Sequence, residues 1–324
     1  MVQAAILQIK DIFYPVLASF GAPANVVTIV ILSRGNCGLS KCVSVYMVAM
    51  ATADLLVIIF NVIVYQIFNY HFPYSFLSNT AVCKFILYFN FATLDLSVWF
   101  TVSFSFDRFV AICFQGFKEK YWSKRTAIVV IAAASILAYL MSVPMLFSYE
   151  PERIINNVHW GCRPKVDVLT LPAWAAYNWF QALSVPLLPF IFMALFNSLT
   201  VRRILVANRA RRELRGHSSK NQSDPEMENR RKSIILLFTI SGSFILLWIT
   251  SVVTFGTTRL SNTVYYQGDY SNPGYIATEC GYLLMYLSSC SNTCIYAATQ
   301  RKFREELKTL LKSPRSLILR LVKK

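Results

Sequence analysis

The stretch Ser105-Phe106-Asp107-Arg108-Phe109, which follows Cys83 on the same apolar segment, decides the fold of this chain. Residues between Cys83 and this stretch are almost all apolar, the pattern of a membrane-spanning helix. At about 1.5 Å rise per residue, Cys83 and Arg108 lie about 37 Å apart, slightly more than the roughly 30 Å of a hydrocarbon core. The segment therefore predicts a spanning helix with a cysteine at one water interface and an ion pair at the other.

The composition is that of a membrane protein. The chain has 324 residues, of which 55% are hydrophobic and 15% charged, and its mean hydropathy is +0.46. Soluble domains average about 45–50% apolar and about 25% charged residues. The apolar residues form long blocks instead of amphipathic stripes, which predicts an all-α membrane protein. The seven predicted spans cover residues 12–33, 43–68, 83–113, 126–147, 171–204, 230–257 and 274–299.

The distribution of basic residues predicts the orientation. Lys and Arg are sparse in one set of alternate loops and abundant in the other, and cytoplasmic loops carry the excess. Residues 1–11 are therefore expected to be a short extracellular N-terminus without a cleavable signal peptide, and 313–324 a basic cytoplasmic tail. The net charge of +16 suits anionic headgroups, so membrane lipid is an expected partner and nucleic acid is not. The basic residues of the sparse side are Lys10, Lys84, Arg153, Arg163, Lys165 and Arg259.

The cysteines divide by side of the membrane. Cys83 and Cys162 occupy extracellular positions that can meet, and Cys280 lies near the outer end of the last span. An oxidising exterior permits a disulfide, and one between Cys83 and Cys162 would hold the second outer loop over the bundle. The other cysteines are interpreted as small buried hydrophobes, because none has the spacing of a metal ligand set.

Polar side chains inside the spans predict a pocket in the middle of the bundle, because such residues are costly in lipid and usually functional. Two interpretations are open. The pocket holds Na⁺ through oxygen ligands, or it is a hydrated hydrogen-bond network without an ion. The converging residues are Asp54, Ser97, Ser288 and Asn292.

These landmarks, in this order, resemble a rhodopsin-like (class A) G-protein-coupled receptor over roughly residues 12–312. Within that class, Gly21-Ala22-Pro23-Ala24-Asn25 and Ala51-Thr52-Ala53-Asp54 are closest to the orphan receptors called G-protein-coupled receptor 139 and 142. The resemblance implies a seven-transmembrane-helix bundle with a short amphipathic eighth helix over 300–312. The matching positions are Asn25, Asp54, Cys83, Asp107-Arg108-Phe109, Cys162, Pro189, Trp248, Asn292, Tyr296 and Gln300-Arg301-Lys302-Phe303-Arg304.

The resemblance implies a cell-surface receptor in the plasma membrane that binds an extracellular ligand and activates a heterotrimeric G protein. Asp107 would hold Arg108 at rest, and the released Arg108 would reach the transducer. The implied switch residues are Asp107, Arg108, Phe109, Asn197, Trp248, Asn292 and Tyr296. The implied ligand pocket comprises Asn90, Phe91, Leu94, Trp248, Ser251, Phe255, Glu279 and Tyr282.

Several positions depart from the family pattern. Thr250 and Thr293 stand where members usually have helix-kinking prolines, and Asn197 where they have a tyrosine. Gln115 and Gly116 replace a proline and a hydrophobic residue in the second cytoplasmic loop, where Phe117 is expected to take over the transducer contact. Arg230 stands where an acid would complete a cross-bundle lock. We therefore predict a weak inactive-state clamp and appreciable basal signalling.

The nature of the ligand is narrowed by exclusion. Span seven has no lysine for a retinal Schiff base, and Asn90 stands where aminergic receptors have a carboxylate. Relatives of receptor 139 pair an acid and a base where Asn90 and Ser251 stand, so their ligand is not carried over. The remaining lining is aromatic with one rim acid, compatible with a small apolar or short peptidic ligand.

Asp95 does not fit the central polar stripe, because it faces away from Asn90 on the same helix. It is either a neutral acid hydrogen-bonded between helices or a residue that contacts ligand or senses protons.

Other protein classes fit less well. A transporter or channel is the alternative, but the two halves of the chain show no internal repeat. An enzyme is not expected, because His71, His159 and His217 lie in loops on two sides of the membrane. No cofactor is expected apart from allosteric Na⁺. The predicted tail has only Ser313 and Ser316 as hydroxyls, so arrestin recruitment is expected to be weak.

Overall fold

A computed structural model describes residues 2–35, 37–114, 123–214, 225–260, 270 and 272–312. Several predictions fall outside these residues. They are the transducer contact at Phe117, with Gln115 and Gly116, and the basic tail 313–324. The side chain of Arg230 is also outside the described part.

The described chain is mostly helical. Two π-helical segments cover Ile58–Phe68 and Leu183–Leu187. Short 3-10 helices cover Phe76–Ser78 and Val143–Phe147. The α-helices are α1 (Val2–Ser33), α2 (Lys41–Val57), α3 (Asn69–His71), α4 (Thr80–Cys113), α5 (Lys124–Ser142), α6 (Val166–Thr170), α7 (Pro172–Ala182), α8 (Leu188–Leu214), α9 (Pro225–Leu260), α10 (Pro273–Thr299) and α11 (Arg301–Lys312).

Side-chain caps mark where several of these helices begin. A polar side chain before the first turn accepts a hydrogen bond from a backbone N–H that has no partner inside the helix. Such caps define the starts of α2, α4, α5 and α10. The capping residues are Ser40, Asn79, Ser123 and Asn272.

Helix α1 begins earlier than the predicted span 12–33. It starts at Val2, because residues 2–11 contain neither Gly nor Pro and are rich in Ala, Ile and Leu, which favour a helix. The residues predicted as a short N-terminus are thus helical, and Lys10 lies on α1.

Long helical stretches pack into one bundle whose outer surface is apolar. Helix α4 contacts α2, α5, α8 and α9, and α10 packs against α1, α2 and α9. Large apolar side chains such as Ile12, Val129, Leu140 and Leu246 point outward and are more than half exposed. A helix that is apolar all round suits a membrane span. Six stretches of the described residues are long and apolar enough to cross a membrane: Ala5–Ser33, Lys41–Phe68, Thr80–Cys113, Lys124–Phe147, Pro172–Ala207 and Arg231–Thr258.

The segment between α5 and α6 carries two short antiparallel strand pairs. Strand β1 (Tyr149–Glu150) pairs with β4 (Arg163–Pro164), and β2 (Arg153–Ile155) with β3 (Val158–Trp160). Gly161 has a φ of 72°, and a Cβ there would lie 2.8 Å from the Cβ of Glu152, so only glycine suits this turn.

The predicted disulfide between Cys83 and Cys162 is confirmed. The two Cα atoms are 6.2 Å apart, and the bond ties the loop to the first turn of α4. Nearby, Thr80 Oγ1 donates to Gly161 O at 2.8 Å. Cys37 and Cys42 are buried at the opposite end of the bundle. Burial, together with the nearby Glu306 carboxylate, raises the pKa of the Cys37 thiol, so this side chain behaves as a hydrophobe.

Helix α11 packs under the bundle. Phe303 is fully buried and meets the ring of Tyr296 edge to face at 6.0 Å. Arg304 Nη1 donates to Ala297 O at 2.9 Å and to Ala298 O at 2.8 Å, which caps the end of α10. Leu311 is 71% exposed. The helix therefore has an inner apolar anchor and an apolar side chain free to enter a membrane surface.

Candidate functional site

The ion pair of the opening stretch is buried at the inner end of α4. Asp107 is fully buried and Arg108 is 5% exposed. Arg108 Nε donates to Asp107 Oδ2 at 2.8 Å, and Nη2 contacts the same oxygen. Cys42 Sγ donates to Asp107 Oδ1 at 3.0 Å, so α2 helps to position the acid. An ion pair this deeply buried depends on its partners, because removing one leaves a charge uncompensated.

Arg108 also reaches across the bundle to α9. Its Nη1 donates to Ser233 Oγ at 3.4 Å, a long bond to a neutral hydroxyl. Phe109 points to the other side and stacks on Phe196 of α8, with 5.6 Å between ring centroids. The three residues of the motif thus contact α2, α9 and α8.

Asn197 joins α8 to α9. Its Nδ2 donates to Ser241 Oγ at 2.8 Å, while no described residue donates to its Oδ1. Ser241 in turn donates to Leu237 O of its own helix. A polar amide therefore forms a direct contact between two helices at a position where the family pattern has a tyrosine.

A polar cluster surrounds Asp54 in the middle of the bundle. Asp54 is 1% exposed; Ser97 Oγ donates to its Oδ1 at 2.6 Å and Asn292 Nδ2 to its Oδ2 at 2.8 Å. Ser288 instead accepts a bond from Trp248 Nε1 at 2.9 Å and donates to a carbonyl of α10. Three of the four predicted residues thus meet directly, and the fourth links the cluster's helix to Trp248.

Helices α1 and α10 are connected next to this cluster. Asn25 Nδ2 donates to Ser289 O at 2.8 Å. The hydroxyls of Thr28 and Thr293 are 2.9 Å apart and share a hydrogen bond. A proline at position 293 would have no such hydroxyl. Tyr296, one turn later, is fully buried, and no described residue bonds to its hydroxyl.

Trp248 connects this region to the predicted ligand pocket. It is 3% exposed, and its ring stacks on Phe244 with 4.9 Å between centroids. Leu94 packs against the same apolar cluster. Ser251, one turn above Trp248, has a buried hydroxyl with no hydrogen-bond partner among the described residues, and a Cβ at Gly281 would lie 2.8 Å from its Oγ. Gly281 therefore permits the close approach of α9 and α10.

Two predicted pocket residues are engaged in contacts between helices. The Asn90 amide, oriented to satisfy its neighbours, donates to Phe60 O at 2.9 Å and to Ile86 O at 3.2 Å. Glu279 accepts from Lys10 Nζ at 2.5 Å, so the predicted rim acid is paired with α1. Phe91, Phe255 and Tyr282 are partly exposed, and Tyr282 stacks on Tyr286 at 6.4 Å.

A family model described as "7 transmembrane receptor (rhodopsin family)" matches residues 24–296. The chain belongs to this family. The predicted all-α fold, a seven-helix bundle, is therefore confirmed, and the protein is a multi-pass plasma-membrane receptor that signals through G proteins. Such receptors are not enzymes.

Individual receptors are similar to this one over most of their length. Neurotensin receptor type 1 of Mus musculus is 24% identical over 318 residues, which is 90% of this receptor and 73% of the relative. Apelin receptor A of Danio rerio is 23% identical over 314 residues, covering 93% and 81%. Galanin receptor type 2 of Rattus norvegicus is 23% identical over 305 residues, covering 91% and 73%.

Sequence reasoning missed three partners in the receptor. Lys10 pairs with Glu279, Ser233 accepts from Arg108, and Gln181 donates to Tyr177. The pairing of Lys10 could have been predicted, because Lys10 is one of the few basic residues on its predicted side of the membrane and an acid lies near the end of another span on that side. The contacts of Ser233 and Gln181 could not, because serine and glutamine are common at helix surfaces.

Proposed function

We propose that this receptor, with Cys83 outside and Arg108 inside, binds an extracellular ligand among the outer ends of α4, α7, α9 and α10. The scarcity of Lys and Arg on one side supports this orientation, and so does the disulfide, which forms in an oxidising environment. The ligand acts by binding two states of the bundle with different affinity, since only that difference shifts their populations.

The switch that we propose is Asp107-Arg108-Phe109. The observation that carries this proposal is the buried pair of Asp107 and Arg108, in which Arg108 reaches α9 through the neutral hydroxyl of Ser233. Movement of α9 breaks that bond at modest cost, because a hydrogen bond to a charged group contributes about 1.5–3 kcal/mol at good geometry and this one is long, at 3.4 Å. Arg108 then becomes available to the C-terminal helix of a G-protein α subunit. Asn197, Trp248, Asn292 and Tyr296 join this switch to the outer half.

The proposed pocket is lined mainly by polar, aromatic and apolar side chains of α4, α9 and α10. Ser251 offers a hydroxyl that no described residue bonds to, and Phe91, Leu94, Phe255 and Tyr282 offer aromatic and apolar surface. Asn90 and Glu279 contribute by fixing the surrounding helices. The names of the relatives say that they are receptors for neurotensin, apelin and galanin, so these three ligands are the first probes for a small or short peptidic ligand.

One experiment separates this function from the transporter or channel alternative. The receptor is reconstituted in vesicles with a chimeric G protein inside, and guanine-nucleotide exchange and solute flux are measured on the same preparation. Ligand-dependent exchange without flux is the expected result. Flux without exchange would overturn the proposal. The three named ligands and a wider library serve as the screen.

We also propose that Na⁺ binds at Asp54, Ser97, Ser288 and Asn292. The buried Asp54 carboxylate has no cationic partner among the described residues, and the cluster offers the oxygen donors that a hard cation prefers. The unfolding temperature in NaCl and in choline chloride is compared for the wild type and Asp54→Asn. Stabilisation by Na⁺ in the wild type alone supports the site. Equal responses would leave a hydrogen-bond network without an ion.

Three finer expectations from the sequence stay predictions. They are the closeness to the orphan receptors called G-protein-coupled receptor 139 and 142, weak arrestin recruitment, and contact of the basic tail with membrane lipid. Phosphorylation-dependent arrestin binding in cells, compared with a receptor carrying a serine-rich tail, tests the second of these.

A further inference from the structure

Asp95 is a buried acid without a partner in the part of the chain that the structure describes. It is 2% exposed on α4, and no described residue donates a hydrogen bond to its Oδ2. An ionised carboxylate away from water is costly unless a donor or a cation meets it. Asp95 takes no part in the Asp54 cluster or in the switch. A partner for this acid is therefore missing from the described receptor.

A second unpaired acceptor lies on α7. Gln181 is 9% exposed, and none of the described residues donates to its Oε1. The orientation of this amide is fixed, because Gln181 Nε2 donates to Tyr177 Oη at 2.8 Å and Tyr177 Oη donates to Met141 O at 2.9 Å. Gln181 thus uses its donor group on Tyr177 and keeps its oxygen as an acceptor.

Tyr177 links the two acceptors in space. Its phenol is hydrogen-bonded to Gln181 and is close enough to Asp95 for an electrostatic interaction. The phenol proton is already used on the Met141 carbonyl, so Tyr177 has none left for the acid. Tyr177 therefore places the Gln181 acceptor and the Asp95 carboxyl group near one region between α4, α5 and α7, and an ionised Asp95 would give that region a negative charge.

The missing group has a definite chemistry. A neutral hydroxyl would bond to one acceptor and leave the charge uncompensated, whereas an ammonium group has three donors and a positive charge. The helix beside the site is also irregular, since the π-helical segment Leu183–Leu187 directly follows Gln181, and such segments are frequent at functional sites. Tyr177, which is partly exposed, forms the outer edge of the site.

We propose that Asp95 and Gln181 bind the protonated amine of the ligand of this receptor. The inference rests on the proposed receptor function and names the chemistry of the ligand. The acid lies five residues beyond Asn90 on α4, about 7.5 Å deeper in the bundle. Its neighbour Leu94 packs against the apolar cluster that contains Trp248. An amine bound here therefore acts beside the residues that join the pocket to the switch.

The test uses the purified full-length receptor and a series of simple probes. The probes are benzylamine, 2-phenylethylamine, 3-phenylpropylamine and 4-phenylbutylamine, each matched with the alcohol of the same length. The unfolding temperature is measured against probe concentration at neutral pH, where the amines are protonated. At least one amine is expected to stabilise the wild type at a concentration about tenfold or more lower than the alcohol of the same length requires. A hydrogen bond to a charged group contributes about 1.5–3 kcal/mol, which corresponds to a tenfold or larger difference in affinity.

Variants connect this selectivity to the two residues. Asp95→Asn is expected to abolish the preference for the amine while leaving the response to the alcohol unchanged. Gln181→Leu weakens the amine several-fold, and Gln181→Glu strengthens it. If Asp95→Asn does not fold, the opposite effects of Gln181→Leu and Gln181→Glu on amine binding test the proposal instead. Asp167→Asn is the matched control, because it neutralises an exposed acid on α6, and it keeps the preference.

Two results would overturn the proposal. A wild type that responds alike to every amine and its alcohol, or an Asp95→Asn variant that keeps the preference, overturns the proposal. Basal guanine-nucleotide exchange on the same preparation reports the receptor function without any probe. Intact exchange with no amine preference refutes the amine site alone, whereas solute flux without exchange refutes the proposed function.

Discussion

Arg108 Nη1 lies 3.4 Å from Ser233 Oγ, so this arginine of α4 meets α9 through a neutral hydroxyl. We predict that Ser233→Ala raises basal nucleotide exchange, because it removes a hydrogen bond that holds α9 near α4. A loss of about 1 kcal/mol corresponds to roughly a fivefold change in the ratio of the two states. Thr239→Ala is the control, since that hydroxyl donates to Ile235 O within its own helix. Equal basal exchange in both variants would refute the tether.

Cys42 supports the other half of the ion pair. Its Sγ donates to Asp107 Oδ1 at 3.0 Å in a buried site. Cys42→Ala should therefore weaken the hold of Asp107 on Arg108 and raise basal exchange by a few-fold, whereas Cys42→Ser retains a donor and should stay near the wild type. Exchange rates normalised to folded receptor measure the difference. An alanine variant as quiet as the serine variant would speak against this role.

The hydrogen bond between Thr28 and Thr293 should be measurable as a coupling energy. Thr→Val keeps the shape and removes the hydroxyl, so the two single variants and the double variant form a thermodynamic cycle. We expect a coupling of about 0.5–1.5 kcal/mol in thermal unfolding, because the bond is buried and neutral. Additive effects of the two substitutions would show that the hydroxyls do not stabilise one another.

The disulfide should be the main covalent contribution to stability on the outer side. Cys83 and Cys162 are separated by 79 residues, and closing a long loop typically contributes about 2–4 kcal/mol. Cys83→Ser is therefore expected to lower the unfolding temperature markedly and to abolish ligand responses. Cys280→Ser, which alters a free cysteine, should change little. Comparable losses in both variants would contradict this assignment.

The sequence predicts the bundle well because long apolar blocks and asymmetric basic loops each follow from the cost of placing charge in lipid. It also predicts that Asp54, Ser97 and Asn292 meet, since buried polar side chains seek one another. It does not predict that Ser288 bonds to Trp248 instead, because the rotation of α10 depends on packing against α9. Nor does the sequence predict that the Asn90 amide bonds to Phe60 O, because the rotation of α4 also depends on packing.

The sequence identifies Asp95 as unusual but does not reveal the groups around it. Its position off the polar stripe of α4 marks it as anomalous from the sequence alone. The acceptor on Gln181 becomes visible only in the structure, because Tyr177 fixes which end of the amide is free.

The central claim is that Arg108 drives the G protein and that its inactive-state restraint is weak. Basal guanine-nucleotide exchange in vesicles is the most direct measurement, for the wild type, for Arg108→Ala and for vesicles without receptor, each normalised to folded protein. We predict exchange by the wild type clearly above the empty vesicles, and exchange by Arg108→Ala at the level of the empty vesicles. Wild-type exchange no higher than that of empty vesicles, or full exchange by Arg108→Ala, would contradict the account.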